Sequence, residues 1–257
     1  MEPRLEQAGD RLIVWNGNAK MRGAITPEFY DTIRTAIDQA KDPAIRAVVI
    51  TSEGDFFCAG GNLNAIIERA NLPEQERRDR IEDLHDVIRA IRSSPVPVIA
   101  AVKGGAAGAG VSIALACDFL IAEAGVKFTA AYVKAGLVPD GGLTAHLARA
   151  LPRQLAMEMC VLAQPVVSER LHALGVVNLV AEDGAGVIAQ ALALCDRIAR
   201  GPRGAQGTIR RMVSTAYDQD EAAQLDLERD AMAHAFGTAE AQEGISAFLE
   251  KRTPKFQ

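Results

Sequence analysis

The feature of this sequence that most constrains its fold is a pattern that occurs twice: an apolar β-rich run, a tight turn of small residues, and a helical segment. In the first copy the run at 45–51 (IRAVVIT) leads to a glycine-rich turn at 59–61. In the second copy the run at 96–103 (VPVIAAVK) leads to GGAAGAG at 104–110 and then to the apolar helix VSIALAC. Strands connected through helices lie parallel in one sheet, with the helices packed on it. The pattern therefore predicts an α/β layered fold with parallel strands.

Other elements are marked by hydrophobic periodicity and by end signals. Strands are expected at 11–15 and 119–122, where short β-rich runs occur. Thr26 and Pro27 are the residue types that favour the cap and the first position of a helix. A further helix is expected from one apolar face, formed by Ile81, Leu84, Ile88 and Ile91.

The chain becomes mainly helical after Gly141. Helices are expected at 142–150, 153–162, 168–174, 185–200, 204–216, 219–236 and 238–250, with one β-like run at 176–180. Pro202, between Gly201 and Gly204, forms the clearest break. The sequence thus predicts a first unit at 1–200 and a helical unit at 201–257.

Composition and charge exclude several classes of protein. A hydrophobic content of 49% over 257 residues is enough for a sizeable core, and a net charge of −5 gives no electrostatic reason for a nucleic-acid partner. Neither a basic leader followed by an apolar stretch nor an apolar run of membrane-spanning length occurs, so we expect a cytoplasmic protein with no membrane partner. The cysteines have no CxxC spacing and no nearby histidine, which predicts reduced thiols and no metal site: Cys58, Cys117, Cys160 and Cys195.

The two glycine turns are candidate anion or oxyanion sites. Each one follows a strand and opens a helix, which leaves backbone N–H groups without intrahelical acceptors. Two donors from separate strand ends could then converge on one oxygen, although small residues also serve simply to let a helix and a strand pack closely. A dinucleotide site is disfavoured because residues 108–113 lack the third glycine of its fingerprint.

Five segments resemble the crotonase (enoyl-CoA hydratase/isomerase) superfamily in order and spacing: FFCAGGNL, PVPVIAAVKGGAAGAGVSIALACD, KAGLVPDGG, LPRQLAMEM and ALGVVNLV. The match covers essentially the whole chain. It implies a crotonase-like ββα spiral core, at 1–200, which holds the coenzyme A and acyl site. It also implies that 201–257 is a helical region for trimerisation and pocket covering, in a homotrimer or homohexamer. The substrate would be an acyl-CoA, and no separate cofactor is expected because coenzyme A is part of that substrate.

The resemblance assigns the oxyanion hole to the backbone N–H groups of Gly61 and Ala109. Residues around the first turn would line the substrate site: Ala59, Gly60, Asn62 and Leu63. Arg22 is a candidate contact for a phosphate of coenzyme A, or else an ordinary surface arginine.

The reaction depends on which side chains lie beside the hole. Hydratases of this family carry two glutamates, and their positions fall here on Ser112 and Tyr132, which we expect only to line the site. Neither replaces a carboxylate, since a serine hydroxyl is not a base at neutral pH and an ordinary tyrosine has a pKa of about 10. Asp140 matches the acid/base of Δ3,Δ2-enoyl-CoA isomerases and the nucleophile of aryl-CoA dehalogenases. It could instead cap the next helix.

The resulting prediction is an enzyme that shifts the double bond of a 3-enoyl-CoA to the 2-position, with Asp140 moving the proton. The alternatives are an enoyl-CoA hydratase or oxepin-CoA hydrolase-like enzyme of fatty-acid or aromatic degradation, and a non-catalytic CoA-binding protein of the same fold. The four histidines lie in helical patterns without a serine or cysteine partner and are expected to be structural or exposed. Only His146 is close in sequence to Asp140.

Overall fold

The structure is a computed structural model that describes residues 1–256. Its larger sheet has six strands, numbered in chain order. Their spatial order is β1 (Arg4–Ala8), β2 (Arg11–Asn16), β3 (Ala47–Ser52), β4 (Val98–Val102), β6 (Phe119–Glu123) and β9 (Leu179–Ala181). All neighbours from β2 to β9 pair in parallel, as the sequence pattern predicts. The antiparallel hairpin of β1 with β2 was not predicted.

A smaller sheet of three strands lies next to the glycine turns. It consists of β5 (Ala106–Ala107), β7 (Lys127–Thr129) and β8 (Val166–Val167). None of these short strands was predicted. Two or three residues give too short a run for a periodic pattern, and β5 lies inside the glycine-rich turn itself.

Eleven α-helices occur in the described part of the chain. They are α1 (Pro27–Gln39), α2 (Leu63–Ala70), α3 (Glu74–Arg92), α4 (Ala109–Ala116), α5 (Leu143–Ala150), α6 (Arg153–Leu162), α7 (Ser168–Ala173), α8 (Gly184–Ala199), α9 (Arg203–Thr215), α10 (Glu221–Phe236) and α11 (Ala239–Leu249). The bounds expected for the helices after Gly141 agree with these to within two residues. In α1 the Thr26 hydroxyl accepts a hydrogen bond from the Phe29 N–H and Pro27 is the first helical residue, as predicted. None of these helices is both long and apolar enough to cross a membrane.

Both faces of the larger sheet are buried, which explains its unbroken apolar strands. On β4, Val98, Ala100 and Val102 pack on one side in a cluster with residues of α1, α3 and α4. Ile99 and Ala101 face the other side, where they cluster with buried residues of α8. Successive side chains of a strand therefore point alternately into two hydrophobic cores, one on each face of the sheet.

The parallel pairing of β3 with β4 brings the two glycine turns together. Parallel neighbours end at the same edge of a sheet, so the turns that follow them leave side by side. The Ala107 N–H donates to the Cys58 carbonyl at 2.9 Å, and the Phe57 N–H donates to the Lys103 carbonyl at 2.9 Å. The turn at 59–61 thus lies directly against the turn at 104–110.

Helix α9 is attached to the first unit by a buried arginine. The Arg210 guanidinium donates to the Asp118 carboxylate at 2.6 Å and to the backbone carbonyl of Ser94 at 2.7 Å. It also donates to the backbone carbonyls of Arg92 and Ile91. The predicted break at Pro202 coincides with the start of α9. The division of the chain into 1–200 and 201–257 stays a prediction.

Candidate active site

Seven of the predicted site residues line a single cavity of about 450 Å³. They are Ala59, Gly61, Asn62 and Leu63 from the first turn and the start of α2, Ala109 from the second turn, and Tyr132 and Asp140. Tyr132 belongs to a short 3₁₀ segment at Ala131–Ala135, and Asp140 lies in the loop that leads into α5. The cavity therefore unites the residues that the two glycine turns and the LVPDGG segment suggested.

The backbone N–H groups of Gly61 and Ala109 are both free donors. Neither donates a hydrogen bond to any backbone or side-chain acceptor within residues 1–256. Ala109 is the first residue of α4, where an N–H has no intrahelical partner and the helix dipole is positive. Two unpaired donors on one cavity wall are what an oxyanion hole requires.

Gly60 does not line the cavity but brings the two turns into contact. Its φ is +86°, and a Cβ at this position would lie 2.8 Å from the Ala107 carbonyl oxygen and 3.2 Å from the Ala109 nitrogen. Only a residue without a side chain fits there. The structure gives Gly60 a packing role, and its predicted role in substrate binding stays a prediction.

Asp140 is held by two hydroxyl groups. The Tyr132 hydroxyl donates to Asp140 Oδ1 at 2.8 Å. The Ser112 hydroxyl, on the buried α4, donates to the Asp140 backbone carbonyl at 3.0 Å and lies 3.4 Å from the Tyr132 hydroxyl. Ser112 is fully buried behind this pair and does not line the cavity, in contrast to the expectation from sequence.

The carboxylate of Asp140 does not cap a helix. Helix α5 has Gly142 at its cap position and no side-chain cap bond. Gly141 and Gly142 both have positive φ, of +60° and +74°, and this pair of left-handed residues separates Asp140 from the start of the helix. The cap interpretation is therefore wrong, and the carboxylate is available to the cavity.

Burial and charge keep two phenols of the cavity protonated. Burial, followed by the negative charge of Asp140, raises the pKa of Tyr132. The same two causes raise the pKa of Tyr30, which lines the cavity from α1. At neutral pH both hydroxyls can donate hydrogen bonds, but neither can act as a base.

Arg22 lies outside this cavity. Its guanidinium stacks on the Phe56 ring, with 4.1 Å between its central carbon and the ring centroid. Together with Lys127 it lines a neighbouring cavity of about 420 Å³, which shares only Ala59 with the first one. The predicted phosphate contact thus belongs to an adjoining basic cavity.

Several lining residues were not predicted from sequence. Helices α1, α2 and α3 contribute Tyr30, Arg69, Arg77, Arg80, Ile81 and Asp83. Ile81 was predicted to lie on the apolar face of α3, and it is 44% exposed because the start of that face borders the cavity. The charged start of α3 has no periodic signal that separates a cavity wall from an ordinary solvent-exposed face.

Other reactive groups lie elsewhere or are inert. His146 lines a different cavity of about 620 Å³ with Cys117 and Asp118. Burial, helped by the charges of Arg92 and Arg149, lowers the pKa of His146 to about 4. Burial raises the pKa of Cys58, in the first turn, to about 12, so this thiol is not a nucleophile at neutral pH. Within residues 1–256 no three side chains of the metal-binding types are close enough to hold an ion.

Comparison with known proteins agrees with this geometry. A sequence model of the family "Enoyl-CoA hydratase/isomerase" matches residues 17–257. The 1,2-epoxyphenylacetyl-CoA isomerase of Escherichia coli is 36% identical over 84% of this chain and 82% of its own length. A probable enoyl-CoA hydratase of Rhodobacter capsulatus is 34% identical over 96% of this chain and 91% of its own.

A solved structure shows the same fold. The crystal structure of an enoyl-CoA hydratase from Polaromonas sp. JS666 matches with a TM-score of 0.95 and 39% identity, and the match covers 99% of both chains. The crotonase-like fold expected from the sequence motifs is thereby confirmed. The chain is therefore an enzyme of the enoyl-CoA hydratase/isomerase family, in the crotonase superfamily.

Proposed function

We propose that this enzyme shifts the double bond of a 3-enoyl-CoA to the 2-position, with Asp140 as the single acid/base. The observation that carries the proposal is the presence of Asp140 on the same cavity as the free N–H groups of Gly61 and Ala109. A base beside an oxyanion hole is the arrangement needed to remove a proton next to a thioester carbonyl.

The reaction needs one base and no other reactant. Asp140 takes a proton from C2, and the electron pair of that C–H bond moves into a dienolate whose oxygen accepts from the Gly61 and Ala109 N–H groups. Asp140 then returns the proton to C4 as the electrons form the C2–C3 double bond. Each backbone donor can contribute about 2.7–4 kcal/mol to stabilisation of the dienolate.

A second acid, Asp83, also lines the cavity but is less suitable. It lies on the exposed surface of α3, among the arginines of the cavity wall. Asp140 instead contacts the Tyr132 hydroxyl, and the Tyr132 ring is 4.0 Å from where a Cβ of Gly108 would lie in the second turn. Through Tyr132, Asp140 therefore lies close to the second glycine turn, and Asp83 serves as the control.

Hydration is the second candidate, and the names of the Rhodobacter and Polaromonas relatives favour it. Addition of water requires a positioned water and two proton movements. The hydroxyls of Tyr132, in the cavity wall, and Ser112, behind that wall, both make hydrogen bonds to Asp140. Ring-opening hydrolysis, as in an oxepin-CoA hydrolase-like enzyme, makes a similar demand on water.

The wider proposal covers partners and location. The adjoining cavity of Arg22 and Lys127 would take an anionic part of coenzyme A, which enters as part of the substrate and not as a cofactor. We place the enzyme in the cytoplasm as a homotrimer or homohexamer. Support for assembly comes from large apolar side chains left exposed on α10 and α11, which are Leu225, Met232, Phe236, Ile245, Phe248 and Leu249.

The test uses a panel of 3-enoyl-CoA and 2-enoyl-CoA thioesters with purified wild type, Asp140→Asn and Asp83→Asn. We expect wild type and Asp83→Asn to generate conjugated enoyl absorbance from 3-enoyl-CoA without a change in mass. Asp140→Asn should lose at least about 10²-fold of this rate. Loss of conjugated absorbance with a gain of one water, unaffected by Asp140→Asn, would show that hydration by other groups is the reaction instead.

A further inference from the structure

The two hydroxyls around Asp140 carry only two protons, and the contacts assign the proton of Tyr132 to one acceptor. Tyr132 has one hydroxyl proton, which it donates to Asp140 Oδ1. Ser112 has one hydroxyl proton, which is within reach of the Asp140 carbonyl at 3.0 Å and of the Tyr132 oxygen at 3.4 Å. Whichever acceptor Ser112 takes, the Tyr132 hydroxyl still donates its hydrogen bond to the carboxylate.

One oxygen of Asp140 is thus occupied and the other is not. Asp140 Oδ2 accepts no hydrogen bond from a donor within residues 1–256, while the residue itself borders the cavity. A carboxylate with one oxygen fixed cannot rotate freely about its last bond. Fixing a base in this way preorganises proton transfer, because less reorganisation is left for the transition state.

We propose that Tyr132 is a positioning residue, whose hydroxyl, steadied by Ser112, holds Oδ1 of Asp140 and leaves Oδ2 for the C2 hydrogen of the substrate. This inference rests on the proposed function and adds to it. The alternative is that the Tyr132 ring only forms part of the cavity wall. In that case its hydroxyl has no effect on proton transfer.

The electrostatic surroundings of Asp140 come from several elements. The charged or titratable side chains that line the same cavity are Tyr30 on α1, Arg69 on α2, and Arg77, Arg80 and Asp83 on α3. Within the described residues, none of these side chains makes a hydrogen bond to Asp140. The Tyr132 hydroxyl makes one. Loss of the Tyr132 hydroxyl should therefore remove a donor that favours the charged carboxylate and move the acidic limb of the rate profile to higher pH.

The test follows exchange of the C2 hydrogens of phenylacetyl-CoA for deuterium in D₂O by NMR. The phenyl group makes these hydrogens more acidic, and exchange needs the base and the oxyanion hole but no double bond to shift. In Tyr132→Phe we expect the maximal exchange rate to fall roughly 10-fold while the half-saturating concentration stays within about 2-fold. The acidic limb of the rate profile should move to higher pH.

Two further variants make the test specific. Tyr217→Phe removes an exposed tyrosine hydroxyl outside this cavity, and its acidic limb should coincide with that of wild type. Incorporation of 3-fluorotyrosine at position 132 keeps ring and hydroxyl but makes a stronger donor, so the acidic limb should move to lower pH. The fluorinated protein decides the question even where Tyr132→Phe does not fold.

The outcomes separate this inference from the proposed function. An acidic limb and maximal rate in Tyr132→Phe equal to those of wild type, or no shift with 3-fluorotyrosine, overturns the role of Tyr132 alone. Wild-type protein that exchanges C2 hydrogens but does not convert 3-enoyl-CoA overturns the double-bond shift alone. Absence of both activities in wild type overturns both.

Discussion

At the scale of single residues, Gly60 sets the distance between the two glycine turns. Its φ of +86° and its contact with the Ala107 carbonyl leave no room for a side chain. Gly60→Ala should push the Gly61 and Ala109 N–H groups apart, because backbone atoms of the second turn must move. We expect kcat/KM to fall at least about 10²-fold, as for loss of an oxyanion donor, together with a lower Tm.

The matched control is Gly9→Ala. Gly9 also has a positive φ, of +65°, but a Cβ there meets no atom within 4 Å. It should lose about 1–2 kcal/mol of stability from backbone strain and keep its activity. Equal activity in Gly60→Ala and Gly9→Ala would mean that the contact between the turns does not matter for catalysis.

His146 gives a residue-scale prediction about pH. Its pKa in the folded protein is about 4, against 6.5 for an ordinary histidine, so the unfolded chain binds one more proton between these two values. The contribution of His146 to the free energy of unfolding is complete above pH 6.5 and is lost as the pH falls to about 4.

His146→Gln should therefore flatten the loss of stability in this range, measured by urea unfolding at a series of pH values. His234→Gln, on the exposed end of α10, is the control and should follow wild type. A wild-type slope retained in His146→Gln would contradict the assignment of this histidine as buried and neutral.

The sequence could indicate which residues meet at the site but not how they contact each other. Gly61, Ala109 and Asp140 were identified because the segments around them resemble motifs of the crotonase superfamily. The bond between Tyr132 and Asp140 is a tertiary contact with no local signature. Because tertiary contacts cannot be read from the sequence, we also expected Ser112 and Gly60 to line the cavity. In the structure both lie behind the residues that form its wall.

At the scale of elements, the attachment of α9 depends on one buried ion pair. Burial raises the pKa of Asp118 more than the charge of Arg210 lowers it, so the pair is costly to desolvate. Removal of one partner leaves the other charge buried and unpaired. We therefore expect loss of one partner to lower the free energy of unfolding more than loss of both partners would.

Arg210→Met should lower the free energy of unfolding by about 3–5 kcal/mol, and addition of Asp118→Asn should restore part of that loss. Urea unfolding of both variants measures the effect. Arg211→Met, one position along α9 with an exposed side chain, should stay within about 0.5 kcal/mol of wild type. A double variant less stable than the sum of its parts would contradict the pairing argument.

Long elements were predictable and short ones were not. The seven helices after Gly141 followed from periodicity and end signals because each presents an apolar face over two or more turns. Strands β5, β7 and β8 exist only through their pairing with one another. The part of the cavity wall formed by α2 and α3 was also not predictable. In the sequence its arginines cannot be distinguished from those of an ordinary solvent-exposed helix surface.

At the scale of the whole molecule, the exposed apolar face of α10 and α11 predicts self-association. Phe236 is 69% exposed and Phe248 is 84% exposed, and apolar side chains exposed together in this way mark an interaction surface. Sedimentation equilibrium should give a trimer or a hexamer for wild type. Phe236→Glu combined with Phe248→Glu should give a smaller species.

Met21→Glu provides the control, because Met21 is exposed but lies in the short turn at Ala19–Met21. It should keep the wild-type assembly. A monomeric wild type at micromolar concentration, or an unchanged assembly in the double variant, would remove the proposed role of these helices.

The central claim is that the Gly61 and Ala109 N–H groups bind one thioester oxygen within reach of Asp140. The most direct measurement is a crystal structure of Asp140→Asn with a 3-enoyl-CoA bound. We predict that both nitrogens lie about 2.7–3.1 Å from the thioester oxygen and that C2 lies roughly 3–3.5 Å from the side chain at position 140. A thioester oxygen bonded to neither N–H group, or C2 out of reach of position 140, would contradict the account.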